Sequence, residues 1–316
     1  MPFIGVIFDF DCITNYLIER YQTMFWYNLL MYRVFLMFAF FHISLYAKLN
    51  VVVSILPQQT FLKAIGKEKV ESTLMVRPGN SPHTYEPKAS QMRALSTADL
   101  YLAIGVEFEK VWLPKFQDLN NKMPIVDITK DIQKIAIKQK HHSHKSHTLN
   151  DRHRHGDYDP HVWISPENVK ILARNIYKAL IKLDKKNKAY YLRNLKTFLA
   201  HVTQTDATIK KILSSLKSRT FMVFHPSWSY FAHAYRLRQI AVEIEGKTPK
   251  PKELVTLIKV AKEKKITAIF TQPEFSDTAV QILAKELQIP VIKVSPLASN
   301  WSENLMKIAK TIAGEE

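Results

Sequence analysis

Three histidines lie in segments where prolines or strand ends restrict the backbone, and they carry the clearest chemistry in the chain. His83 lies in PGNSPHTYEP, His161 in DYDPHVWISP, and His225 in FMVFHPSWSYF, directly after an apolar run. Three neutral imidazoles favour zinc, copper, nickel or cobalt, whereas magnesium and calcium prefer oxygen ligands. A single histidine is usually an ordinary core or surface residue. Three of them in rigid turns of one chain predict a site for one transition-metal ion.

Six of the twelve histidines form a second group in one polar stretch, and they are His141, His142, His144, His147, His153 and His155. The stretch 138–159 is rich in His, Lys, Ser and Asp, so it buries too little apolar surface to offset the entropy lost on ordering. We predict a loop that binds zinc weakly and either raises the zinc concentration near the main site or reports zinc sufficiency. The alternative is a solvated linker.

The composition is that of a folded globular protein with an unusually basic charge. The chain has 316 residues, 47% of them hydrophobic, and a formal net charge of +17. Its one cysteine, Cys12, permits neither an intrachain disulfide nor a cysteine-type zinc site. A basic chain can bind nucleic acid or anionic surfaces, but the lysines spread along helical segments 181–196 and 250–265, a pattern typical of solvated faces. We therefore predict no nucleic-acid partner.

The N-terminal region has the pattern of an export signal. From Met31 the chain reads MYRVFLMFAFFHISLYA, which is a short basic start, an apolar run over 34–45 and a small residue at Ala47. The run has the length of a signal-peptide core and is short for a membrane span. We predict that 1–47 is an N-terminal extension and signal peptide and that the mature protein begins at Lys48. The alternative is a retained membrane anchor.

Beyond this region, short apolar runs alternate with helical patterns. Strands are predicted at 51–56, 72–76, 100–104, 124–128, 221–224, 240–244, 266–271 and 290–294. Helices are predicted at 58–65, 165–183, 187–216, 229–235, 252–264, 277–287 and 303–312. Such alternation is typical of a parallel sheet covered on both faces. The expected fold is α/β, with two lobes, 48–186 and 218–316, each a mostly parallel sheet flanked by helices, joined by one long helix over 187–217.

Three segments together resemble one known family. PGNSPHTYEPKASQM, DPHVWISPENV and FHPSWSYFAHAYRL are similar to the metal-binding segments of the periplasmic zinc-binding proteins of ABC importers. These belong to the manganese/zinc class of solute-binding proteins with a rigid inter-lobe helix. The resemblance covers roughly 49–314, and a histidine-rich loop precedes the second segment as in the family. It implies that His83, His161 and His225 coordinate a metal in the cleft between the lobes.

The resemblance also implies which metal is bound and where a fourth ligand would come from. Manganese-preferring relatives have a carboxylate at the position of His225, so an imidazole there favours zinc. Gln272 stands where many zinc-binding relatives have a glutamate. The expected fourth ligand is therefore Glu274 or water, and Asp277 is expected to cap a helix. Glu86 is a candidate partner for the second nitrogen of a ligand histidine.

The function implied by the resemblance is zinc capture and not catalysis. Zn²⁺ would be the transported ligand of a monomeric periplasmic protein, which delivers it to a membrane permease driven by a cytoplasmic ATPase. One alternative is a zinc hydrolase or lyase, because three histidines and water also form a catalytic arrangement. The sequence has no His-Glu-x-x-His pair and no evident general base for it. Another is binding of manganese or another divalent metal together with adhesion activity.

Overall fold

The computed structural model describes residues 20–21, 24–29, 31–33, 48–137, 158–216, 218–244, 246–275 and 278–315. The chain divides into two compact units, 1–47 and 48–316. In the first unit the described residues are helical and almost all exposed. Across the described ranges, no helix combines the length and apolar character needed to cross a bilayer. The apolar run at 34–45 lies outside these ranges, so the signal peptide stays a prediction.

The second unit contains two four-stranded sheets, and all strand pairs within them are parallel. The first sheet has the order β2-β1-β3-β4, with β1 Leu49–Val53, β2 Val70–Leu74, β3 Leu100–Ala103 and β4 Ile125–Asp127. The second has the order β6-β5-β7-β8, with β5 Thr220–Val223, β6 Arg238–Ala241, β7 Ile269–Thr271 and β8 Val291–Lys293. The prediction of two parallel α/β lobes is confirmed.

Both sheets have the same strand topology, and this topology determines where a ligand can bind. In each, the first strand lies in the interior, and the chain runs to one edge before crossing to the other side. The carboxyl ends of the strands diverge at this reversal of strand order and leave a crevice, which is the usual ligand site of open α/β sheets. The carboxyl ends of β1 and β5 therefore mark the expected site in each lobe.

Helices flank the sheets, and the interior strands β1, β3, β5 and β7 are mainly apolar, whereas the edge strands β2 and β6 carry polar residues. All four residues of β3 are buried, as expected for a strand covered on both sides. In the first lobe the helices are α1 Leu56–Gly66, α2 Ala89–Ser96 and α3 Glu107–Leu119. The second sheet is followed or flanked by α6 Ser229–Ala234, α7 Pro251–Glu263, α8 Thr278–Leu287 and α9 Trp301–Ala313.

One long helix, α5 Lys188–Ile212, joins the lobes as predicted, and it follows α4 Pro166–Leu183 of the first lobe. The 25 residues of α5 correspond to about 38 Å at about 1.5 Å per residue. The buried face of α5 includes Leu195, Phe198 and Val202, and α5 packs against α1, α4 and α9. One apolar core extends from the first sheet through these helices to α9. The lobes are therefore connected by a packed core and not by a single flexible strand.

Two helices of the first lobe, α2 and α3, were not predicted from the sequence. The periodic pattern of α3 is interrupted by Pro114 inside the helix, and an internal proline normally argues against a helix. The helix begins two residues after Gly105, whose φ of 86° lies in the left-handed region that favours glycine. The other predicted helices and strands are present, with ends shifted by a few residues.

We expect the helical core between the lobes to dominate stability. Leu172 on α4 is fully buried, whereas Leu192 on α5 is 36% exposed. The change Leu172→Ala should lower the free energy of unfolding by about 2–5 kcal/mol, because it leaves a cavity in a packed core. Leu192→Ala should lower it by less than about 1 kcal/mol. Urea denaturation followed by circular dichroism measures both, and equal losses would contradict this description of the core.

Candidate metal centre

The structure brings the three histidines of the sequence prediction together. One ring nitrogen each of His83, His161 and His225 lies within 4.8 Å of the other two. The Nε2 atoms of His83 and His225 are 3.2 Å apart. Two nitrogens bound tetrahedrally to one zinc at about 2.0–2.1 Å would be separated by about 3.3 Å. The observed spacing is therefore that of two ligands of a single ion.

Each histidine reaches this point from a different element. His225 follows β5 by two residues, at the strand order reversal of the second sheet. His83 lies in the irregular segment between β2 and α2, and His161 immediately precedes a 3₁₀ turn at Val162–Ile164 that leads into α4. The first lobe thus supplies two imidazoles and the second lobe one. Burial also differs, because His161 is 5% exposed whereas the other two are half-buried.

All three histidines have a carboxylate next to Nδ1, the nitrogen on the other side of the ring. The pairs are His83 with Glu107 at 3.2 Å, His161 with Asp159 at 2.7 Å, and His225 with Glu243 at 2.8 Å. An ionised carboxylate only accepts hydrogen bonds, so it places the proton on Nδ1 and leaves the Nε2 lone pair free. Histidines that bind metals in proteins commonly have such a partner. The pairing prepares three nitrogen ligands at once.

The pKa values of these pairs reflect the same interactions. The hydrogen bond with Glu107 raises the pKa of His83 above its ordinary value, although burial acts in the opposite direction. Burial favours a higher pKa for Glu107, but the hydrogen bond and charge of His83 outweigh it and the pKa is lowered. Asp159 behaves in the same way with His161. Both carboxylates therefore remain ionised at neutral pH, and their negative charge favours a cation.

The start of α3 holds the His83 segment in place. Glu107 is the first residue of this helix and contacts the His83 ring, and the N–H of Phe108 donates to the carbonyl of Pro82 at 3.2 Å. His83 itself lies outside any helix or strand. The first turn of α3 therefore fixes both the main chain and the side chain of this ligand.

Glu109 in turn fixes the start of α3 to the first sheet. Its side chain is 2% exposed, and burial raises its pKa to about 7. The carboxylate accepts hydrogen bonds from the end of β1 and from the turn after β3, with the hydroxyl of Ser54 and the N–H groups of Ile104 and Gly105 as donors. The carboxylate that orients His83 is thus connected to the sheet through one buried residue.

Two side chains of the second lobe fix His225. The buried amide of Gln272 donates to the carbonyl of His225 at 3.2 Å and to the hydroxyl of Ser227 at 2.7 Å. It also accepts from the N–H of His225 at 3.4 Å. The ring of Phe275 stacks on the imidazole, with centroids 4.8 Å apart and an interplanar angle of 27°. Gln272 therefore supports the backbone of the ligand, where the family resemblance had suggested only a missing carboxylate.

The other candidate residues lie elsewhere. Glu274 accepts a hydrogen bond from the hydroxyl of Ser295 at 3.0 Å and is not part of the histidine group found among the described residues. Glu86 is exposed, and the partner of His83 is Glu107. Asp277 lies outside the described residues, as do all six loop histidines, which are His141, His142, His144, His147, His153 and His155.

Comparison with known proteins identifies the family of the chain. Residues 51–314 match the family of the periplasmic zinc-uptake complex component A, ZnuA. The chain belongs to this family. A crystal structure of ZnuA is similar with a TM-score of 0.77 and 39% identity, over 85% of this chain and 99% of that chain.

More distant relatives share the same region. The zinc-binding lipoprotein AdcA of Streptococcus pneumoniae is 25% identical over 259 residues, which cover 81% of this chain and 52% of AdcA. The high-affinity zinc uptake system protein ZnuA of Yersinia pestis is 26% identical over 271 residues, 80% of this chain and 84% of that protein. The matched region therefore spans about half the length of AdcA and most of the length of ZnuA of Yersinia pestis.

We predict that the three carboxylates control metal affinity. Glu107→Gln, Asp159→Asn and Glu243→Gln should each weaken zinc binding by about 10- to 100-fold, because the ligand histidine loses its orientation and basicity. The exposed Glu86 supplies a matched control, and Glu86→Gln should leave the affinity unchanged. Competition with a chromophoric chelator measures all four dissociation constants. Equal effects of Glu86→Gln and Glu107→Gln would show that the Nδ1 contact is not what matters.

Proposed function

We propose that this protein captures zinc for an ABC importer, binding one Zn²⁺ through the Nε2 atoms of His83, His161 and His225. The observation that carries the proposal is the convergence of three imidazoles whose Nδ1 atoms all face carboxylates. Membership in the zinc-uptake family supports the same conclusion. The bound ion is cargo, so the protein performs no chemical step on it.

The ligand set favours zinc among the divalent metals. Imidazole nitrogens suit zinc, whereas manganese, magnesium and calcium are better served by carboxylate, carbonyl and water oxygens. Water or Glu274 completes the fourth position in this proposal. One carboxylate oxygen of Glu274 accepts a hydrogen bond from Ser295, whereas the other is buried without a hydrogen-bond partner. Manganese binding with adhesion activity is the less favoured alternative, since no carboxylate joins the three nitrogens within the described part of the chain.

The same three-histidine arrangement occurs in zinc hydrolases and lyases, where the bound water is the nucleophile. A hydrolase also needs a base or proton acceptor within hydrogen-bond reach of that water. The carboxylates closest to the histidines, Glu107, Asp159 and Glu243, are occupied by the Nδ1 atoms. This arrangement supports binding and delivery of the ion in preference to catalysis.

The remaining parts of the proposal follow from the family. The protein acts as a monomer in the periplasm after export, with nucleic acid playing no part. It passes zinc to a membrane permease coupled to a cytoplasmic ATPase. The histidine-rich stretch 138–159 collects zinc weakly and raises its concentration near the main site.

Titration calorimetry tests the main site. The full chain should bind one Zn²⁺ tightly, and each of the variants His83→Ala, His161→Ala and His225→Ala should weaken this site by more than about 100-fold, beyond the loss expected for a residue that only orients a ligand. The exposed His233, on the helix that follows His225, gives a matched control, and His233→Ala should bind as the wild type does. Tight binding that survives all three ligand substitutions would refute the site.

Turnover assays separate capture from catalysis. Zinc-loaded protein should hydrolyse no activated ester and should not accelerate bicarbonate dehydration above the rate of free zinc. Uptake of zinc by cells that depend on this protein should fall with His161→Ala and remain normal with His233→Ala. Ester or bicarbonate turnover that disappears in His161→Ala would instead establish the enzyme alternative.

A further inference from the structure

Tyr230 connects the second lobe to the residue that orients His161. It lies on α6, five residues after His225, and is 4% exposed. Its hydroxyl accepts a hydrogen bond from the N–H of Ile135 at 3.1 Å and donates one to the carbonyl of Asp159 at 3.0 Å. Both partners belong to the first lobe. A single hydroxyl of the second lobe therefore forms hydrogen bonds with two separate segments of the first lobe.

The two partners of this hydroxyl are also bonded to each other. The N–H of Asp159 donates to the carbonyl of Ile135 at 2.9 Å, and an antiparallel bridge joins Ala136 and Tyr158. Ile135, Asp159 and Tyr230 thus form a closed set of three hydrogen bonds. A closed set of this kind fixes the main chain of Asp159 more firmly than any one bond would.

Asp159 transmits this constraint to the metal site. Its carboxylate accepts from the main-chain N–H of His161 at 2.9 Å and from Nδ1 of the ring at 2.7 Å. Ser229, the residue before Tyr230, also lowers the pKa of Asp159, although less than His161 does. The short helix that follows His225 therefore holds the residue that orients His161, through the contact of Tyr230 with its backbone.

Replacing Tyr230 by phenylalanine would isolate the energetic contribution of its hydroxyl oxygen. Phenylalanine fills nearly the same volume, so the packing of α6 would be preserved without the hydroxyl. The N–H of Ile135 and the carbonyl of Asp159 would then lose a buried partner, and such groups are costly to leave unpaired. Movement that restores their hydrogen bonding would displace Asp159 and with it the ring of His161.

We propose that Tyr230 is a positioning residue of the zinc site, which fixes His161 of the first lobe relative to His225 of the second through Asp159. The proposal rests on zinc binding by the three histidines. Tyr230 does not contact the ion. It acts on the distance between two ligands, so its loss should shorten the time the ion stays bound more than it slows capture.

The test compares two tyrosines of the same region. Tyr235 is also buried, at 6% exposure, and its hydroxyl bonds Asp206 on α5 at 2.9 Å. Tyr230→Phe should raise the zinc dissociation constant by about 3- to 10-fold, as expected for buried hydrogen bonds of about 0.5–1.5 kcal/mol, mainly through faster release. Tyr235→Phe should change it by less than about twofold. Chelator competition and stopped-flow release on the full chain give both quantities.

A double-mutant cycle shows whether the effect passes through Asp159. In an Asp159→Asn background, Tyr230→Phe should add little to the loss, because the charged connection through the Asp159 carboxylate is already lost. The Nδ1 proton resonance of His161 in the zinc-loaded protein should shift in Tyr230→Phe and stay in place in Tyr235→Phe. An undiminished loss in the Asp159→Asn background would overturn the proposal in favour of a general loosening of the lobe.

The outcomes also separate this proposal from the proposed function. If the wild type and Tyr235→Phe bind zinc tightly and Tyr230→Phe binds it equally well, only the role of Tyr230 is overturned. If the wild type itself shows no tight zinc site, the proposed function fails and the role of Tyr230 fails with it.

Discussion

The site depends on one constraint, which is that three imidazoles must present unprotonated Nε2 atoms to the same point. Lone pairs of this kind repel one another, and His83 and His225 bring theirs within 3.2 Å. The carboxylates at Nδ1 enforce this arrangement, because an ionised carboxylate retains the proton on its own side of the ring. A divalent cation between the nitrogens relieves the repulsion. The structure therefore presents the nitrogens at the spacing that one divalent cation would require.

The fold satisfies this constraint by bringing each carboxylate from a different place. Glu107 comes from the start of α3, Asp159 from the irregular segment before His161, and Glu243 from the turn after β6. The N–H of Glu243 bonds the carbonyl of Phe224 at 3.1 Å, which ties it to the residue before His225. The apolar core along α5 holds the lobes that carry these groups. Ring spacing is thus set by the fold before any ion arrives.

The ligands could be predicted from sequence, but most of their partners could not. Each ligand histidine lies in a local signal: an apolar run followed by His-Pro places His225 at a strand end, and a proline directly precedes both His83 and His161. Asp159 is two residues from its histidine and could have been found by the same reasoning. Glu243 is separated from His225 by 18 residues and meets it only because β5 pairs with β6.

Glu107 was harder to find, because the helix that carries it was itself missed. Pro114 interrupts the helical pattern, so the sequence predicts no helix there, and Glu86 is the candidate partner that it offers for a ligand histidine. The orientation of the Glu274 side chain was equally difficult to predict from the sequence, because it depends on a hydrogen bond from Ser295 at the end of another strand. Local patterns identify the groups that bind, whereas sheet register and helix starts decide what orients them.

The overall charge makes the local carboxylates more important still. A chain of formal charge +17 repels a zinc ion at long range. Screening limits that repulsion to about 8 Å at physiological ionic strength. The carboxylates that orient the rings lie across each imidazole from its Nε2 atom and are only partly exposed to solvent. The same three groups therefore select the tautomer and supply the negative potential that an otherwise basic protein needs to hold a cation.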